Sequence, residues 1–205
     1  MNNQYYSPQS FGVLPTGVKN LLIINGIFFL ARYALRGVGI DLDMYLALYP
    51  VQTPWFHWWQ CFTYMFMHAN FEHILFNMFA LWMFGYTLEN LWGTARFVIY
   101  YLACGLGAAL VCALLGITTV GASGAVYGIL LAFGMTFPEQ RIYLYFLFPI
   151  KAKWFVIGYA AIELFDGIMR SGDGIAHFAH LGGMLTGLII MLFWRRKYGR
   201  YNSYM

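Results

Sequence analysis

The chain has 205 residues, of which 61% are hydrophobic and only 10% charged, and its mean hydropathy is +0.61. Soluble domains carry roughly 45–50% apolar and about 25% charged residues, so this chain has too little polar surface to coat a water-soluble globule; a cytosolic enzyme and a disordered chain are excluded. Cys61, Cys104 and Cys112 show no paired spacing, which excludes a disulfide scaffold, and a net charge of +4 reads as loop charge on a membrane protein, not as a nucleic-acid footprint.

A helix that crosses a bilayer needs about 20 mostly apolar residues. Six runs qualify as tilted or partly submerged spans: 20–34, 73–88, 97–116, 123–137, 154–169 and 177–194. Residues 1–17 read as a short cytoplasmic tail, 18–196 as one membrane domain and 197–205 as a second cytoplasmic tail. With the N-terminus inside, Lys19, Arg96, Arg141, Lys151, Lys153, Arg195, Arg196, Lys197 and Arg200 fall on the inner side, against Arg32, Arg36 and Arg170 outside. That asymmetry favours both termini inside, and Arg32 and Arg36 can snorkel to an interface. Residues 35–70 form a long outer connection. It holds Trp55, Phe56, His57, Trp58 and Trp59, an aromatic set that prefers the headgroup zone, so the segment is expected to lie in the outer interface, partly helical.

Polar side chains within such runs are costly and each needs a reason. His73 and Asn77 stand one turn apart on the second run and share a face. Ser123 opens the fourth run, and His177 and His180 open the sixth. The second, fourth and sixth runs all pass from outside to inside, so His73, Ser123 and His180 sit at one depth, a little below the outer surface. Gly124 with Gly128, and Gly183 with Gly187, are small-xxx-small pairs that let two helices approach closely. A close contact of the fourth and sixth spans brings Ser123 within reach of His180. A serine beside a base is an activated nucleophile, and the oxyanion it generates needs donors. Ser123 at a helix start offers backbone N–H groups, and Asn77 and His73 offer side chains. The chemistry indicated is peptide-bond hydrolysis within the membrane. Taken singly, each motif reads as ordinary helix packing; their coincidence in depth and direction carries the expectation.

Together these residues resemble the rhomboid intramembrane serine proteases over about residues 50–194. The motifs are His68-x4-His73-x3-Asn77, Gly121-x-Ser123-Gly124-x2-Tyr127 and Ala176-His177-x2-His180-x2-Gly183-x3-Gly187, in the order of the six-helix bacterial form. The resemblance implies an all-α membrane protein: a six-helix bundle with a long interfacial loop between helices 1 and 2, without metal or cofactor, in a bacterial plasma membrane. It implies a Ser–His dyad lacking a carboxylate. Ser123 is then the nucleophile and His180 the base; Asn77, His73 and the Ser123 N–H line the oxyanion hole, and Tyr127 packs on the His180 ring. The expected partners are single-span membrane protein substrates and the lipid bilayer. The family pattern places glycines three and seven residues after the base, which His180 meets with Gly183 and Gly187 and His177 does not, so His177 is expected to be structural or to solvate the cavity.

Gln60 stands where the family often has an arginine, which puts the stability of the outer loop in question, whereas His68 is expected to be a buried residue that hydrogen-bonds loop to helix and His57 an interface residue. Glu163 and Asp166, three apart on the fifth run, share a face that either lines the water cavity or the gap between the second and fifth spans or, as favoured, is solvated near the outer end; neither is expected to be essential. Two other readings compete: a catalytically silent rhomboid-like scaffold that binds membrane proteins, and a transporter or metal binder using His68, His73, His177 and His180.

Overall fold

The computed structural model of the protein describes residues 14–144, 148–169 and 176–197. Arg170 and Arg200, two of the charges used above for orientation, and most of both tails lie outside these residues.

Each apolar run folds as helix. The first is α1 (Thr16–Arg36). Its amino end follows Pro15, which offers no capping side chain. The orphan amides are met from a distant residue: Gly17 and Val18 donate N–H bonds of 2.7 Å to the two carboxylate oxygens of Glu89, 72 and 71 residues along the chain. Thr94 Oγ1 donates a third, at 2.6 Å. The carboxylate satisfies two unpaired donors and complements the positive end of the helix. Gly17 leaves room for it, since a Cβ there would lie 3.0 Å from both oxygens. Glu89 is 2% exposed, so Glu89→Ala strands two buried N–H groups. That change is expected to cost roughly 2–4 kcal/mol, from charged hydrogen bonds worth about 1.5–3 kcal/mol each less partial rehydration. Thermal unfolding in detergent measures it; a melting point unchanged from wild type would show the clamp to be idle.

The connection from α1 to the next long helix is a packed layer that includes α2 (Asp43–Leu46), α3 (Gln60–Thr63) and a 3₁₀ turn (Tyr64–Phe66). Arg32 reaches out of α1 to grip it: Nε donates to both oxygens of Asp43 at 2.9 Å, and a terminal nitrogen donates to the Ala69 carbonyl at 2.9 Å. Pairing with Asp43 thus neutralises Arg32, which the charge count had placed against the majority. Gln60, where an arginine was expected, is fully buried. Its Oε1 accepts from the His57 amide (3.0 Å) and, more weakly, the Tyr49 amide (3.4 Å), while Nε2 donates to the Trp55 carbonyl (3.0 Å). The loop is therefore pinned from inside by a neutral residue with every strong bond local. Leu48 and Thr119 exchange backbone bonds of 3.0 Å, and Tyr64 donates its hydroxyl to the Gly105 carbonyl at 2.7 Å. His57 stacks on Trp59 with centroids 4.3 Å apart.

The second run is α4 (Phe71–Ala80), a π-helical turn (Leu81–Gly85) and α5 (Tyr86–Trp92) in continuous succession. Asn70 caps α4 by accepting from the His73 amide at 2.8 Å. Then follow α6 (Thr94–Leu115), ended by left-handed Gly116, and α7 (Ser123–Thr136). An antiparallel hairpin of β1 (Arg141–Leu144) and β2 (Phe148–Lys151), in register Arg141↔Lys151, leads to α8 (Ala152–Met169). Ahead of the hairpin, Lys151 and then Lys153 draw the exposed Glu139 carboxyl down to about 2. The last helix is α9 (His177–Lys197).

Helix α9 packs along α6 and α7, and glycines set the spacing. A Cβ on Gly183 would lie 1.9 Å from the Gly124 carbonyl oxygen; one on Gly128 would meet Cys104 Sγ at 2.5 Å, and one on Gly187 would meet the Tyr100 hydroxyl at 2.3 Å. Gly183 thus marks the close approach of α9 to α7, while Gly128 and Gly187 let α7 and α9 close on α6. Around them the core holds Phe97, Tyr100, Tyr101, Cys104, Cys112 and Ile129, all fully buried. Where lipid is as apolar as the core, close van der Waals fit supplies the packing energy. Among the described residues, three helices, α1, α6 and α9, are long and apolar enough to cross a membrane; α7 is apolar but shorter.

Candidate active site

Ser123 is the first residue of α7, immediately after Ala122, which provides no capping side chain. The amide groups of that first turn therefore point free of any side-chain acceptor. His180 lies one turn into α9. Because Gly183 lets the α9 backbone touch Gly124, the residue after Ser123, the two side chains meet: His180 Nε2 is 2.8 Å from Ser123 Oγ. Tyr127, one turn below Ser123, lies flat on the His180 ring, with centroids 4.2 Å apart and planes within 5°. This contact fixes the rotation of the imidazole.

His177 does not approach Ser123 in this way. Its Nδ1 is 2.7 Å from Glu163 Oε2. The same oxygen lies 2.8 Å from His180 Nδ1, out of line for a well-formed hydrogen bond. Tyr127 donates its hydroxyl to the other oxygen, Oε1. Glu163 is 6% exposed, so its expected place in solvent at the outer end of the span is wrong. The rotation of α8 against α9 and α7 turns it inward, where three donors surround the carboxylate. A spacing of three residues could say that Glu163 and Asp166 share a face, but not which face. Asp166 is half-buried. The signal that could have found Glu163 was its charge inside an apolar run, a functional residue by default.

The second run brings His73 beside the serine loop. Gly121, two residues before Ser123, has φ +122°, and a Cβ there would lie 2.6 Å from His73 Cε1 and 2.7 Å from Nε2. Only glycine allows both that backbone and that contact. Asn77 is buried and donates one N–H of its amide to the His73 carbonyl at 2.8 Å, leaving the second N–H of Nδ2 for another acceptor. His68 is fully buried, its ring edge-on to His73 with centroids 5.1 Å apart. Burial, then the neighbouring His73, lowers its imidazole to about 3, so it stays neutral at physiological pH.

The four histidines of the metal-binding reading thus divide into two groups. Glu163, His177 and His180 have ligand atoms all within 4.8 Å of one another. Ligands about 2.0–2.2 Å from a tetrahedral zinc lie roughly 3.3 Å apart. The 2.7 and 2.8 Å separations to Oε2 are shorter and suit shared protons.

A family model described as Rhomboid domain matches residues 56–197. RHOMBOID-like protein 1 of Arabidopsis thaliana is 35% identical over 151 residues, 71% of this chain and 37% of that protein. Rhomboid protein 1, mitochondrial, of Saccharomyces cerevisiae is 27% identical over 230 aligned positions, 91% of this chain and 66% of that protein. Rhomboid protease GluP of Bacillus subtilis is 32% identical over 131 residues, 63% of this chain and 25% of that protein. The chain therefore spans about two thirds of the yeast relative and well under half of the other two.

Proposed function

Because this chain belongs to the rhomboid family of integral membrane proteins, we propose that it is an intramembrane serine endopeptidase with Ser123 as nucleophile and His180 as general base. The observation that carries the reading is the 2.8 Å contact of His180 Nε2 with Ser123 Oγ under a Tyr127 stack. Nε2 takes the hydroxyl proton as Oγ bonds to the scissile carbonyl carbon. The carbonyl π-bond electrons move to its oxygen, which the Ser123 amide, the remaining Asn77 N–H and His73 stabilise. Collapse of the intermediate breaks the C–N bond as the imidazolium gives its proton to the leaving amine. Water, deprotonated by His180, then releases the acyl group and restores the serine. The substrates are single-span membrane proteins, cut in or near their transmembrane segment.

The site sits in a membrane domain over 18–196 that crosses the bilayer six times, with both tails cytoplasmic. That reading is supported by the six helical runs and their charge asymmetry. The membrane itself is not specified by family: relatives carry mitochondrial and chloroplast names as well as a bacterial source, and the expectation of a bacterial plasma membrane gains no support from them.

Cleavage of a fluorescent single-span substrate by purified protein in lipid vesicles, with chelator present, tests the reading. Wild type is expected to cut and Ser123→Ala to fall by on the order of 10⁴-fold or more, to background. Wild type that cuts nothing yet retains single-span proteins would identify the silent scaffold instead.

A further inference from the structure

A base that accepts a proton on Nε2 must carry its own hydrogen on Nδ1. In a buried site that N–H needs an acceptor, and the group facing it is the Glu163 carboxylate, 2.8 Å away. We propose that Glu163 is a positioning residue for His180, so that the reacting unit is a Ser–His–Glu array and not an unsupported pair. The proposal rests on the reading of Ser123 as nucleophile and His180 as base.

The surroundings of Glu163 are built to hold a carboxylate in the ionised state. Tyr127 donates to Oε1, and His177 Nδ1 lies 2.7 Å from Oε2. The two oxygens together offer about four acceptor positions, so there is room for the His180 N–H as a third donor. Tyr127 serves twice: its ring face orients the imidazole, and its hydroxyl orients the anion behind it. His177, which lacks the serine contact, is explained as the residue that fixes the carboxylate from the same helix.

The out-of-line approach of His180 Nδ1 to Oε2 has a consequence for the cycle. In the resting enzyme Oε2 is directed mainly to His177. When Nε2 takes the serine proton, the ring becomes a cation beside an anion of 6% exposure. The attraction is strongest then, so the carboxylate favours the transition state over the resting state. The proton does not pass to Glu163; it stays on the imidazole until the amine leaves.

The other groups facing His180 are Ser123 and Tyr127 from α7, His177 on its own helix, and His73 from α4, which lies within electrostatic reach. Among the described residues, Glu163 is the one acidic group of this set. Removing its charge removes the counter-ion of the imidazolium that forms in the transition state, so the loss falls on kcat and not on KM.

The test compares wild type, Glu163→Gln, Glu163→Asp and Ser123→Ala in lipid vesicles with chelator present. Glu163→Gln is expected to lose on the order of 10²-fold in kcat, with KM within about twofold. Glu163→Asp, which keeps the charge on a shorter arm, recovers part of the rate. In parallel, ¹⁵N-histidine spectra of wild type are expected to show His180 carrying its hydrogen on Nδ1, with the signal assigned by its loss in His180→Ala and displaced in Glu163→Gln. This reading needs no substrate. Glu163→Gln with wild-type kcat, or with activity lost only in proportion to unfolding, overturns the proposal; so does a His180 signal untouched by the change. An inert wild type overturns the protease reading itself, whereas an active wild type equalled by Glu163→Gln overturns the positioning role alone.

Discussion

His180→Ala is expected to reduce turnover of a single-span substrate by on the order of 10⁴-fold or more, while His177→Ala loses on the order of tenfold. Both histidines sit in the first turn of α9, and spacing to the following glycines was the only ground for choosing between them. The atoms give a physical one. His180 directs Nε2 at Ser123 Oγ and lies under the Tyr127 ring, whereas His177 directs Nδ1 at Glu163. Removing His180 takes away the proton acceptor, and no other described side chain is seen at hydrogen-bond distance from Ser123 Oγ to replace it. Removing His177 leaves that acceptor in place and loosens only the carboxylate behind it. A serine without its base is as ineffective as a base without its serine, so the double variant Ser123→Ala/His180→Ala is expected to be no worse than either single change. Equal losses in His177→Ala and His180→Ala, with both proteins folded, would show the assignment of the base to be wrong.

Gly183→Ala is expected to abolish most activity through distance alone. The added Cβ would lie 1.9 Å from the Gly124 carbonyl oxygen and 2.6 Å from its carbon. Those are backbone atoms, with no side chain to swing aside, so α7 and α9 must part by about an ångström. Overpacking of this kind costs roughly 1–3 kcal/mol. The separation occurs next to Ser123 and one turn below His180, so their contact lengthens as well, and a displacement of about 1 Å at a reacting pair can lose on the order of 10²-fold in rate. Gly26→Ala is the matched control: nothing lies within 4 Å of the new Cβ. It should leave activity unchanged and raise α1 helix propensity. Measuring kcat and melting temperature for both variants separates loss of geometry from loss of fold. A Gly183→Ala protein with wild-type kcat would mean the helices have room that the backbone contact denies them.

The residues most legible in the sequence were those whose role depends on spacing along one helix. His73 and Asn77 on α4, Ser123 with Tyr127 on α7, and His180 with Gly183 and Gly187 on α9 all stand where periodicity put them, because an α-helix turns four-residue steps into neighbours. The apolar runs became helices with ends displaced by a few residues, as 97–116 became Thr94–Leu115. Illegible were features set by one element against another. Glu163 faces the histidines because of how α8 is rotated on its neighbours. Gln60 replaces an arginine by bonding backbone groups whose positions only the folded loop defines. The hairpin after α7 lacks a strong turn signal, since apolar and aromatic residues run through Ile142–Ile150 almost without break.

The π-helical turn at Leu81–Gly85 has an effect on helical phase. Successive residues of an α-helix advance by about 100°. Asn77 and Glu89 are twelve apart, so on an unbroken helix they would point about 120° away from each other. A π turn accommodates one extra residue without advancing the phase, which reduces the offset to about 20°. One continuous helix can therefore bury Asn77 at one end and hold Glu89 against the start of α1 at the other, both on its inward side. The extra residue is a phase correction, and a single-residue deletion within that turn would rotate one of the two polar groups towards lipid.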